Sequence, residues 1–397
     1  MKVTFVVPRY GTDVIGGAET AARLFAEHLV AQKDWQVEVL TSCALDFVTW
    51  QDVLPEGDQT VNGVTVRRFA SVAGRDPAFH PFSASLLADP GRAALDEAQR
   101  WIELQGPVVP AAVDAATASD ADAVVFYPYL YYPTVRAIEV VSAPTILHPA
   151  AHDEPALHLP VFAGVFDAAD GLVFQTTAER RLVEGMFAVA SHRQLLLGLG
   201  VDDPDGTTSR PTDRVIDMDR PAGDPYLLCL GRVDSHKGSM LLADLFTAYK
   251  ARHPGPLRLV FAGPVVEAPA DHPQIDVLGP VSDADKWALL GNAEALVSPS
   301  SWEAFSLVVA EAWSARTPVL VNAACAATVE HCRRSGGGLA FAGFGEFEGL
   351  VELLCGDDQV RATLGERGRA YVDRWFRWPR VIDRYAAFIE SVVLARE

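Results

Sequence analysis

The stretch from Glu294 to Asn322, EALVSPSSWEAFSLVVAEAWSARTPVLVN, leaves a folding chain few choices. Ala295 to Val297 carries no polar side chain, so it reads as a strand buried on both faces, the condition of a parallel sheet. A polar loop follows, then an amphipathic run from Leu307 to Ala315, then Pro318 and a second apolar strand, Val319 to Val321. Strand, loop, helix and strand form one βαβ unit. Ligands of such units sit at the carboxyl ends of the strands, where loop meets helix.

The same pattern recurs along the chain. Strands are expected at Val3–Pro8, Val37–Leu40, Val64–Phe69, Ala123–Tyr127, Thr145–Leu147, Gly171–Phe174 and Leu195–Val201. The segment Asp203 to Asp224 lacks periodicity and reads as a linker. Beyond it come YLLCLG from Tyr226, Leu257–Ala262, Ile275–Leu278 and Leu339–Phe341, with helices over Met240–Tyr249, Asp283–Leu290, Arg361–Val372 and Trp378–Leu394. A chain of 397 residues is long enough for two cores. The expected organisation is α/β, with two Rossmann-like doubly wound domains, 1–202 and 225–378, joined by a linker over 203–224.

Composition closes off several classes. The formal net charge of −19 gives no basic footprint for nucleic acid. No apolar run approaches the ~20 residues of a spanning helix, and the N-terminus has no signal-peptide pattern. The five cysteines (Cys43, Cys229, Cys325, Cys332 and Cys355) lack paired metal spacing and read as reduced thiols of a cytoplasmic protein. Asp-x-Asp pairs occur at Asp120/Asp122, Asp217/Asp219 and Asp283/Asp285, but none follows a buried strand, so no metal site is expected.

Several constellations carry chemistry. Glu303 and Glu311 flank backbone amides of Phe305, Ser306 and Leu307, expected to point unpaired from the first helical turn. Two carboxylates around an anion-binding helix start suit a ligand with hydroxyls at both ends and phosphate between them, which is the layout of a nucleotide-sugar. Arg232 and Lys237 share the loop after YLLCLG, where two cations can neutralise a diphosphate. Gly16 and Gly17 precede a helix, a place where backbone amides approach a phosphate or where a turn is simply tight. His148 and His152 follow a strand. The aromatic run Phe126 to Tyr132 serves equally as a sugar-stacking surface or as packing. Thr176 or Thr177 reads as a helix cap.

The Glu303-x7-Glu311 pattern enclosing Phe305-Ser306-Leu307, together with Gly231-Arg232 and Lys237-Gly238 after a strand, resembles the donor site of retaining glycosyltransferases of family 4, which have the GT-B fold. The resemblance implies a cleft between the two domains and a C-terminal helix, about 379–397, returning to the first domain. It implies that Glu303 contacts sugar hydroxyls, Glu311 holds the ribose, and the amides, Arg232 and Lys237 take the diphosphate. Gly16 and Gly17 would face the diphosphate and acceptor. His152, or else His148, would contact the donor sugar at the reacting carbon. The implied reaction moves a hexose from a UDP- or GDP-sugar to a carbohydrate, lipid-linked or small natural-product acceptor, with no cofactor or metal, in the cytoplasm or at the inner membrane face. A sugar-nucleotide epimerase or hydrolase and a non-catalytic nucleotide-sugar binding protein remain as alternatives. A nicotinamide oxidoreductase is disfavoured, because Gly11, Gly16 and Gly17 do not make Gly-x-Gly-x-x-Gly.

Overall fold

The structure is a computed structural model that describes residues 1–14, 16–204 and 224–396. By internal contacts the chain divides into two units, Met1–Leu199 with Pro379–Glu397, and Gly200–Trp378. The segment expected as a linker, 203–224, lies almost wholly outside the described residues.

The first unit is built on eight strands: β1 (Lys2–Val6), β2 (Gln36–Ser42), β3 (Gly57–Val61), β4 (Val64–Phe69), β5 (Ala123–Phe126), β6 (Thr145–Leu147), β7 (Gly171–Phe174) and β8 (Arg193–Leu196). Their order is β3-β4-β2-β1-β5-β6-β7-β8. All pairings are parallel except β3 with β4. β5 and β7, which carry no polar side chain, are buried throughout, as strands covered on both faces must be. β3, GDQTV, is a mostly exposed edge strand with no apolar run to announce it. β8 stops at Leu196, short of the Leu195–Val201 span expected, because Gly198 takes a left-handed φ of 77° and breaks the extended backbone. The helix Gly17–Lys33 buries Ala21, Ala22, Phe25, Ala26 and Leu29, one face at three- and four-residue spacing. The closing helix, Trp378–Leu394, buries Val381, Ile382, Tyr385, Ala386, Ile389 and Val392 in the same way.

The second unit holds a six-stranded, wholly parallel sheet of order β11-β10-β9-β12-β13-β14. Its strands are β9 (Tyr226–Leu230), β10 (Arg258–Ala262), β11 (Ile275–Val277), β12 (Ala295–Ser298), β13 (Val319–Asn322) and β14 (Gly338–Phe341). A helix over Phe344–Gly356, unanticipated from sequence, packs Phe347, Val351 and Leu354 into the core with Leu227, Leu259 and Phe261. In this sheet β9 has β10 on one side and β12 on the other, so the direction of winding reverses between β9 and β12. Loops leaving the two strands at such a switch point diverge and open a crevice.

Candidate functional site

The crevice at the β9/β12 switch point is a recess lined by Gly231, Arg232 and Lys237 from the loop after β9, and by Glu303, Ser306 and Leu307 from the loop after β12. The two loops touch at Gly238, where a Cβ would lie 2.6 Å from the Pro299 carbonyl and φ is 77°. Only glycine fits that close approach. From the next strand, Asn322 donates to Pro299 O at 2.8 Å and to Ser301 Oγ at 3.3 Å, holding the β12 loop from beneath.

Each cation of the recess already has a carboxylate. Lys237 Nζ lies 2.7 Å from Glu303 Oε1, a pair in which Glu303 is the more buried partner. Arg232 Nε bonds Asp234, whose other oxygen accepts the Lys237 backbone N–H at 2.7 Å. Asp234, only 5% exposed, therefore fixes both the side chain of one cation and the backbone of the other. Sequence reasoning passed over it, although an acid between Arg232 and Lys237 is the one residue in that loop able to serve both. Cys229 lies at the floor, its thiol pushed up to about 12 by burial, so it is neutral.

The helix start differs from expectation. The helix runs Leu307–Ser314, and Ser306 is its cap residue with a left-handed φ of 70°, so of the three amides only Leu307 belongs to the first turn. Phe305 precedes the cap and turns away from the recess. Its ring is 2% exposed and meets His331 and Phe376 edge-on at 4.8 and 5.0 Å. It anchors the loop instead of facing a ligand. Ser306 Oγ is buried and has no hydrogen-bond partner, although the residue lines the recess. Glu311 lies one turn into the helix and accepts from Lys286 Nζ at 2.8 Å. Burial alone would lower the Lys286 ammonium, but Glu311 and Asp283 together raise it. No periodicity in the sequence announces that pairing across helices.

The remaining sites lie in the first unit. Gly16 caps the helix Gly17–Lys33, and a Cβ there would lie 2.1 Å from Glu19 Oε2. That carboxylate is in a buried ion pair with Arg9 at 2.5 Å, so the glycine makes room for the pair. The two histidines part company. His148 is 0% exposed, stacked on Tyr127 and bonded through Nε2 to the Tyr385 hydroxyl at 2.8 Å, and burial holds its pKa down at about 3. It belongs to the core. His152 is part-exposed, its Nε2 3.8 Å from Glu154 Oε1. The loop that carries it is tied down by Glu179, which accepts from Ala151 N at 2.8 Å and from Gln175 N at 2.6 Å. Thr176 caps the helix Thr177–Met186 by accepting from Glu179 N. Phe126, Tyr127 and Tyr129 are buried, so this part of the aromatic run packs the interior.

The Asp-x-Asp pairs have structural partners where they are described. Asp122 accepts from Lys2 N and Asp120 from Lys2 Nζ, Asp283 pairs with Lys286, and Asp217 and Asp219 lie outside the described residues. Among the described residues no three His, Cys, Asp or Glu side chains group to hold a metal ion, and the five cysteines are unpaired. No helix among them is long and apolar enough to cross a membrane.

Two doubly wound sheets, the first mostly and the second wholly parallel, with a crevice at the switch point of the second, define a GT-B fold, and solved structures agree. The chain is similar to sucrose-phosphate synthase from Thermosynechococcus elongatus at 16% identity and a TM-score of 0.73, covering 99% of each chain. It is similar to α,α-trehalose 6-phosphate synthase from Burkholderia multivorans at 16% identity and a TM-score of 0.72, covering 100% of each. A third likeness is to Anabaena HepE, solved in complex with UDP-glucose, at 16% identity and a TM-score of 0.68, covering 98% of this chain and 100% of that one. Residues 216–370, most of the second unit, match the family described as glycosyl transferases group 1. No curated protein sequence matches the chain.

Proposed function

We propose that this protein is a retaining glycosyltransferase of family 4, moving a hexose from a UDP- or GDP-sugar to an acceptor hydroxyl in the cytoplasm without a metal. The observation that carries this reading is the Lys237–Glu303 pair at the switch point, beside the opening of the helix Leu307–Ser314. Glu303 accepts from hydroxyls of the donor sugar, Glu311 holds the ribose, and Lys237, Arg232 and the Leu307 amide meet the diphosphate. As the bond from the anomeric carbon to the phosphate oxygen breaks, negative charge grows on the diphosphate and the two cations offset it. The acceptor oxygen bonds the anomeric carbon from the face the phosphate leaves, and its proton passes to the departing phosphate oxygen. His152 positions the donor sugar, Gly16 and Gly17 serve the acceptor and diphosphate, and the segment 203–224 links the two domains.

The test is to incubate the chain with α-linked UDP- and GDP-hexoses and a panel of acceptors, reading the new linkage by NMR. An α-linked product supports the reading, and a β-linked product refutes retention. Free or epimerised sugar released without acceptor supports the epimerase or hydrolase alternative, and binding without turnover supports a binding protein.

A further inference from the structure

Away from the β9/β12 recess, at the carboxyl end of the first unit's sheet, a guanidinium is buried with no counter-charge. Arg68, near the end of β4, is 3% exposed. Its one hydrogen bond is a long contact from Nη1 to Ser42 O at 3.5 Å, and its Nε has no partner. Among the described residues no carboxylate pairs with it. On the helix Gly17–Lys33, Glu27, whose charge acts on Tyr10, is taken by Arg23 at 2.9 Å and by Asn62 at 2.9 Å. The titratable groups that act on Arg68 are Cys43 and Tyr10. Burial pushes the Cys43 thiol up to about 11 and raises the Tyr10 phenol, so both are neutral. A desolvated cation left in this state is unfavourable, and folds that keep one supply an anion.

Two further donors surround it. Thr41 is the register neighbour of Arg68 on β2, so the two side chains share a face of the sheet. Thr41 Oγ1 and Tyr10 Oη are both buried without a partner. The three groups come from β2, β4 and the loop after β1. Gly11 lies over the guanidinium: a Cβ there would lie 3.5 Å from Arg68 Nη2, and its neighbours Thr12 and Asp13 are exposed. The position that would cap the guanidinium has no side chain.

We propose that Arg68, with the hydroxyls of Tyr10 and Thr41, binds the phosphate of a phosphorylated acceptor. The anion site stands on the geometry alone, whereas assigning its phosphate to the acceptor rests on the transferase reading. The first measurement is melting of the full chain with and without inorganic phosphate, for wild type, Lys237→Ala and Arg68→Met. Saturating phosphate is expected to raise the melting temperature of wild type and of Lys237→Ala by about 2–4 °C. Arg68→Met added to Lys237→Ala should show no shift, and without phosphate Arg68→Met alone should melt no lower than wild type, since it removes the uncompensated charge. A Lys237→Ala/Arg68→Met chain that keeps the shift of Lys237→Ala, or an Arg68→Met chain that is less stable by the same amount in both conditions, overturns the site. If Arg68→Met does not fold, Arg68→Lys takes its place, expected to bind phosphate at least about fivefold more weakly for want of the planar fork, and unchanged affinity overturns the proposal. The second measurement is transfer to a hexose phosphate against the same hexose unphosphorylated. Arg68→Lys should raise KM for the phosphorylated acceptor about tenfold or more with donor KM unchanged, and an unmoved acceptor KM overturns the acceptor assignment. Absence of transfer from any donor counts against the transferase reading, and the phosphate melts still decide the anion site.

Discussion

Lys237 and Arg232 are each matched with a carboxylate, so the proposed donor binding turns on an exchange of partners. Lys237 is part-exposed and its pair with Glu303 is screened, contributing at most about 1 kcal/mol to stability. A charged hydrogen bond to a diphosphate contributes about 1.5–3 kcal/mol. Lys237→Ala is therefore expected to weaken donor affinity roughly 10- to 100-fold with little change in melting temperature, measured by calorimetric titration with a nucleotide-sugar. Glu311 behaves differently, because its partner Lys286 is mostly buried and its other contact, Asp283, is almost fully exposed. Glu311→Ala should cost about 1–3 kcal/mol in urea unfolding as well as weakening the nucleotide, since it leaves a desolvated ammonium poorly matched. A variant that lost affinity with no loss of stability would show that Lys286 finds compensation elsewhere.

The elements of the second unit explain why two distant motifs converge. Arg232 and Lys237 lie about seventy residues from Glu303 in sequence, yet β9 and β12 are neighbours and both loops leave from their carboxyl ends. The strand runs made this legible: YLLCL and ALVS contain too little polarity to be anything but buried strands, and the sheet does the rest. The Phe305 amide was expected in the first helical turn, but the helix starts at Leu307 with Ser306 as its cap, and the Phe305 ring packs inward. Its packing on His331 and Phe376 depends on helices far along the chain that no local pattern reports. Phe305→Ala should cost about 3–5 kcal/mol of stability and loosen the loop that carries Glu303, read as a lower melting temperature together with weaker donor binding. Where the signal was absent the reading failed. β3 carries its polar residues in succession at an exposed edge, and the Lys286–Glu311 and Arg232–Asp234 bonds are through-space choices among many acids. The separation of His148 from His152 also needed the structure, since only the position of Tyr385, 237 residues away, shows which histidine is interior.

At the scale of the molecule, each unit hides one neutral histidine, and the two set a pH dependence that outweighs the opposite contribution of Glu179, whose carboxyl burial raises to about 8. Burial holds His148 at about 3 and His331 at about 4, both below the ordinary 6.5. Above pH 6.5 neither the folded nor the unfolded chain protonates these sites and they add no slope. As pH falls below 6.5, the unfolded chain takes up protons that the fold refuses, and stability drops by up to about 1.4 kcal/mol per pH unit for each histidine until the folded values are reached. Melting temperatures recorded from pH 7 to 5 should fall, and His148→Phe and His331→Phe should each flatten the decline; an unchanged slope in both would mean that neither site is protonated on unfolding. The central claim is that the recess between the loops after β9 and β12 takes the diphosphate of a nucleotide-sugar. Calorimetric titration of UDP- and GDP-hexoses into wild type and Lys237→Ala tests it most directly. The expected result is one donor bound per chain, with affinity lost at least tenfold in Lys237→Ala. A wild-type chain that binds no nucleotide-sugar, or a Lys237→Ala chain that binds as well as wild type, would contradict it.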